Sequence, residues 1–238
     1  MRRLHVVGKH EIFLASGVYA CLRHDEPAGV QEHWSMHDVD GAHFIRVDRD
    51  GRDDDGRSVL YEALYNPDGQ FERINLRAYG SATDLVQQVK ASFIFYDDHA
   101  EIIRVVNREM AFEETVALSQ PFIVAAAVDI FTGYSLHAQA DAPDVPLPRL
   151  NIVPLFDDVD GAFHVVMDAA GPLAMQSQPA RIEIAGKAVD ASLYTYETAI
   201  GTARMWVDAY KILLRREQGD HVTQLTRYAR RPAPKHHA

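Results

Sequence analysis

One stretch, Pro121–Ala138 (PFIVAAAVDIFTGYSLHA), constrains the fold more than any other, because it reads as a lone helix in a chain of strands. Ser119 is placed to cap it and Pro121 suits a first turn, where a missing N–H leaves no bond unmade. From Phe122 to Phe131 apolar side chains fall on every side of the helix, so it must be buried all round. Asp129 interrupts the run well short of the roughly 20 apolar residues that a bilayer span needs, which leaves protein as the burying medium. The expectation is a mainly β chain: a strongly curved or barrel-like antiparallel sheet enclosing one central helix.

A chain of 238 residues suits a single domain over 1–238, with a disordered tail from about residue 230. The net charge of −10 argues against nucleic acid or an anionic membrane surface as partner, since both need basic surface to displace counterions. Cys21, alone of its kind, permits no internal disulfide and reads as a small buried hydrophobe. Gly8, Lys9, His10 and Glu11 stand where a signal peptide would need unbroken apolar residues, which predicts a cytoplasmic protein.

Alternating or short apolar runs predict strands at Ile12–Leu22, Val30–His37, Ala42–Asp48, Ser58–Tyr65, Phe71–Tyr79, Val86–Tyr96, Ala100–Val106 and Phe112–Leu118. After the helix and a Pro-rich crossing at Ala142–Pro148, they resume at Leu150–Leu155, Phe163–Asp168, Leu173–Gln178, Arg181–Ile184, Ala188–Tyr196, Ala203–Val207, Ile212–Arg216 and Val222–Tyr228. The turn text DVDGA occurs at Asp38–Ala42 and again at Asp158–Ala162, either a trace of duplication or one favoured turn used twice.

Two hairpins can be phased from their turns. Treating Asn66–Gln70 as a three-residue loop pairs Tyr65 with Phe71, Tyr61 with Asn75 and Val59 with Arg77. That gathers Tyr61, Asn75, Arg77 and Tyr79 on one face, with Leu60, Leu64, Ile74 and Leu76 on the other. The same arithmetic at Val39–Gly41 pairs Asp38 with Ala42 and Trp34 with Arg46, a cation–π pair, and puts His33, His37 and His43 on the opposite face. A slip of one residue would exchange the faces of either hairpin.

Nucleotide, phosphate-cradle, serine-hydrolase and thiol-redox motifs are all missing, so no cofactor is expected. His37 and His43 would lie side by side, but a metal needs a third ligand, and His33 is about 13 Å along the strand from His37. The acidic run Asp48–Arg57 has the spaced carboxylates of a calcium loop without its flanking helices, and its arginines offset the charge. No metal site is expected. Facing inward, Trp34, Arg46, Tyr61, Asn75, Arg77 and Tyr79 would line an amphipathic pocket; facing outward, they are a hydrated sheet surface.

The stretch Gly201–Glu217, GTARMWVDAYKILLRRE, turns from one strand into the next, and with the expected architecture it resembles the half-barrel lipid carriers of the LolA type and related glycolipid-binding proteins. The resemblance implies a curved sheet with an apolar concavity for an acyl chain. Those carriers are exported, whereas this chain has no evident export signal, and its strand-borne His and Tyr exceed what an acyl tunnel needs.

Two functions follow as expectations. One is a cofactor-independent lyase or isomerase acting on an aromatic or amphipathic small molecule, such as a formaldehyde-releasing lyase on lignin-derived aromatic dimers. In it Arg46 and Arg77 hold developing charge, Tyr61 or His33 transfers the proton, and Trp34, Asn75 and Tyr79 bind the ligand. The other is a non-catalytic carrier for a lipid or glycolipid. Either leaves room for a homo-oligomer.

Overall fold

The computed structural model describes residues 1–54, 56–82, 85–106, 110–118, 121–126, 128–141, 147–154, 163–169, 175–198 and 201–231. Eight strands come first: β1 (Ile12–Arg23), β2 (Glu26–Val39), β3 (Ala42–Gly51), β4 (Arg57–Tyr65), β5 (Phe71–Ala82), β6 (Leu85–Phe95), β7 (His99–Val106) and β8 (Met110–Ala117). A short strand β9 (Ile123–Ala126) and the helix α1 (Ile130–Asp141) follow. The remainder is β10 (Pro148–Pro154), β11 (Phe163–Ala169), β12 (Gln176–Ile184), β13 (Lys187–Thr198), β14 (Gly201–Val207), β15 (Leu213–Gln218) and β16 (His221–Arg230).

Thirteen of these strands form one sheet in the order β12-β13-β14-β15-β16-β1-β2-β3-β4-β5-β6-β7-β8, and its described pairings are antiparallel. Its curvature follows from what touches α1. Asp129, just before the helix, pairs with Arg216 of β15, while Phe131 packs against Phe71 of β5. Six strand spacings separate β15 from β5, about 29 Å in a flat sheet, whereas a helix is only about 10 Å across. The sheet must therefore curl around the helix. Its edges are β12 and β8, and Pro179, which cannot donate to a ladder, sits on the edge strand β12.

The helix is shorter than its apolar run. Ile123–Ala126 is extended and pairs in parallel with β10, which joins β11 in a small second sheet. Val and Ile suit a buried strand as well as a buried helix, and periodicity does not separate the two in so short a run. The Ser119 cap falls outside the described residues. α1 starts at Ile130, with Ile130 and Phe131 wholly buried. Gly133 lets it lie close against the β14–β15 turn, since a Cβ there would meet the Lys211 carbonyl oxygen at 2.0 Å. No described helix is long and apolar enough to cross a membrane.

Both phased hairpins are corrected by one residue. Asp40 and Gly41 both have positive φ, 53° and 88°, which makes a two-residue turn of the primed kind rather than a three-residue loop. Val39 therefore pairs with Ala42, and Trp34 lies opposite Val47 instead of Arg46, which faces Ser35. In the second hairpin Tyr65 does pair with Phe71, but a bulge between Leu64 and Tyr65 puts Glu62 opposite Asn75 and Tyr61 opposite Leu76. The faces exchange accordingly. Trp34, Met36, Ile45, Val47, Tyr61, Ile74 and Leu76 line the concave, helix-facing side, and Arg46, Glu62, Asn75, Arg77 and Tyr79 lie on the convex side.

Candidate ligand-binding cleft

The residues singled out from sequence are divided between the two faces. Trp34 is 1% exposed and lies over Gly17, near Tyr19 and Tyr228. Tyr61, also 1% exposed, meets Phe131 edge-on and donates to the Ile152 carbonyl at 3.4 Å. Both are core residues of the concave side. On the convex side Ser92 donates to Asn75 at 2.8 Å, and Gln88 donates to the Tyr79 hydroxyl at 2.9 Å. His33 shares this side with Arg46, not the opposite one, because the turn is two residues long. His37 and His43, by the same slip, sit on opposite faces, and no group of three metal-ligating side chains occurs among the described residues.

Arg46 is sealed in. The segment before β1 crosses the convex face of β3 and β4, where Glu11 takes two hydrogen bonds from the Arg46 guanidinium at 2.6 and 2.8 Å. Glu62 pairs with it at 3.4 Å and His37 lies 3.3 Å away, while Phe44 stacks under it at 4.3 Å. The same segment binds Asp48 through Arg2 and Glu62 through His5. Arg46, Glu11 and Glu62 are buried with charged partners, which is how a strap is fastened.

A cleft opens elsewhere. At the end of the barrel formed by the β2–β3, β4–β5 and β14–β15 turns lies a cleft of about 890 Å³. Its floor is apolar and aromatic, from Ala15, Met36, Tyr65, Tyr134 and Ile212. Its rim carries His43, Lys211, Arg230 and Arg231. The Asp208 carboxylate builds the rim turn by accepting the N–H groups of Tyr210 at 2.8 Å and Ile212 at 3.0 Å. Between them Lys211 has φ of 65°, in the left-handed region, and the ammonium reaches across to the Tyr65 hydroxyl at 3.4 Å.

Burial governs the titration of these groups. It lowers the Lys211 ammonium from its ordinary value against an opposing pull from Asp141, lowers the His43 imidazole, and pushes the Tyr65 hydroxyl up to about 12. Burial raises the Tyr228 hydroxyl, and the Asp208 carboxylate to which it donates at 2.9 Å adds to the rise. The His43 Nδ1 atom is shielded from solvent with no hydrogen-bond partner among the described residues. With the nearby Asp208 carboxylate fully employed, the rim has cations to offer and can hold an anionic group above an apolar floor.

Sequence reasoning missed this site because its residues come from separate turns, none carrying a motif. The one usable signal was the text DAYKI between two strands, a turn holding an aromatic and a cation, within the stretch that resembles the half-barrel carriers.

No protein-family model matches the chain, and no curated protein does. Among solved structures it is similar to a β-barrel-like protein of the domain of unknown function DUF1849 from Brucella abortus, at 10% identity over 93% of this chain and 99% of that one, with a TM-score of 0.47.

Proposed function

We propose that the chain binds a small amphipathic molecule, apolar along its body and anionic at one end, in the cleft at the end of the barrel, and carries it without altering it. The observation that supports this is the cleft's make-up: about 890 Å³ of space with an aromatic and aliphatic floor, and Lys211, Arg230 and Arg231 at its rim. That volume lies within the range of small-molecule sites. In a chain of net charge −10, cations gathered at one opening draw an anion to that place. The lipid-carrier resemblance of Gly201–Glu217 supports the same reading, for that stretch supplies Lys211 and Ile212 to the cleft. A cytoplasmic place of action is part of the proposal.

A second reading keeps the cofactor-independent lyase or isomerase, including formaldehyde release from an aromatic dimer, but moves its chemistry to the cleft. It is favoured by the half-buried Lys211 amine, 3.4 Å from the Tyr65 hydroxyl, a pair able to exchange a proton with a bound phenol.

Titration of the purified protein with laurate and with a phenolic acid, read by calorimetry and native mass spectrometry, tests both. Saturable one-to-one binding of laurate, unchanged on recovery and weakened roughly 10-fold or more in Lys211→Met, is the expected result. Turnover of the phenolic compound would replace carrier by enzyme. Saturable binding of neither compound would end both readings.

A further inference from the structure

On the convex face, away from the cleft, Arg77 of β5 and Lys90 of β6 stand directly opposite each other in the ladder. Like charges so placed repel, and a sheet tolerates the pair at a cost unless something neutralises it. Neither forms an ion pair with a carboxylate among the described residues, and the Arg77 Nε is shut off from solvent without a hydrogen-bond partner. One pair along the ladder, Ser92 donates to the Asn75 amide oxygen at 2.8 Å, which leaves the Asn75 N–H groups as donors. Arg77, Lys90, Asn75 and Ser92 line one depression of about 220 Å³, walled by Leu4 and Ile103.

The carboxylates of this face do not serve these cations. Glu62, opposite Asn75, is 1% exposed and is held by His5 and Arg46. Glu113 lies beyond Ile103, two strands from Ser92. The depression thus offers a guanidinium, an ammonium, an amide and the His5 imidazole, with no acid among its described lining residues.

We infer that this depression is a second binding site, and that it takes a phosphate group. A phosphate carries close to two negative charges at neutral pH and three acceptor oxygens, which matches two cations and an amide donor better than a single-charged carboxylate does. The group can come as free phosphate or as the phosphate of an ester whose apolar part rests on Leu4 and Ile103.

Thermal unfolding of the full chain in sodium phosphate, against sodium chloride at the same ionic strength, reads this directly. With phosphate at ten times its Kd, Tm rises by about 3 °C or more over chloride. That increment disappears in Arg77→Gln and in Lys90→Gln, and Lys90→Gln is no less stable than wild type in chloride because the repulsion is gone. It persists in Lys211→Met, which separates this site from the cleft. Phenyl phosphate acting at lower concentration than inorganic phosphate assigns the site to an ester, and equal potency assigns it to the free ion. Equal Tm in phosphate and chloride, or an increment that survives both Arg77→Gln and Lys90→Gln, overturns the inference.

Discussion

The Glu32 carboxylate accepts the backbone N–H of Ile130 at 3.0 Å, and that of Asp129 at 2.7 Å, so a strand residue caps the central helix. Glu32 belongs to the concave face of β2, directly across from Arg49, and Asp129 is in turn paired with Arg216 at 3.0 Å. The start of the helix is thereby tied to the middle strand β2 through backbone N–H groups that have no partners within the helix, and to β15 through the Asp129 carboxylate.

Burial and the neighbouring Asp129 push the Glu32 carboxyl from an ordinary 4.5 up to about 8, against the pull of the two N–H groups and Arg49. The folded chain therefore keeps a proton that the unfolded chain releases. This contribution to stability is complete below about 4.5 and is lost as pH rises through about 8. Glu32→Gln keeps a carbonyl acceptor without the ionisation. The Tm of wild type minus that of Glu32→Gln should fall between pH 5 and pH 8.5, the other titrating groups cancelling in the difference. Parallel curves would show that Glu32 ionises in the fold as freely as in water.

Gly133 permits contact between α1 and the turn that carries Lys211. A Cβ at this position would come within 2.0 Å of the Lys211 carbonyl oxygen and 2.8 Å of its carbon, both backbone atoms. Gly→Ala in an exposed helix gains about 1 kcal/mol, but overpacking here costs about 1–3 kcal/mol or more. Gly133→Ala should lower stability in chemical denaturation. It should also weaken laurate binding, because the helix cannot move off without carrying the cleft's rim with it.

Phe131 is wholly buried, edge-on to Tyr61 and Phe71. Phe131→Ala should cost about 3–5 kcal/mol through the cavity left behind, and Phe131→Asp should prevent folding by burying an unpaired charge. A Phe131→Asp variant melting with wild type would mean that the helix is not the centre of the molecule.

The strands were legible in the sequence because each carries its own apolar pattern and turn. Expected strands such as Ser58–Tyr65 and Ala203–Val207 are found within two residues of their expected ends, and the described end of the expected Leu173–Gln178 strand runs on into Arg181–Ile184 as one strand, with Pro179 on the edge. Faces were not legible. One bulge at Leu64/Tyr65 and one turn shorter by a residue sufficed to divide Tyr61 from Arg77 and Trp34 from Arg46, since side chains alternate with a period of two. The cleft depends on long-range closure, which brings Tyr65 within reach of Lys211, 146 positions later. No local pattern encodes that meeting.

The strap over the convex face gives the last prediction. Glu11 is held down to about 2 by its hydrogen bonds from Arg46, with further help from the Gly8 N–H, while burial acts in the opposite sense. A carboxyl held below its ordinary 4.5 adds stability that is present above that value and is lost as pH falls through about 2. Glu11→Gln should remove this part of the acid sensitivity. It should also cost about 1–3 kcal/mol at neutral pH, because Arg46, 2% exposed, then keeps only Glu62 as a carboxylate partner among the described residues. If the strap acts through this pair, Arg46→Met should make the Glu11→Gln change nearly silent, and the two substitutions together should cost less than the sum of each alone. Strict additivity in urea unfolding would show that Glu11 stabilises the chain by some route other than Arg46.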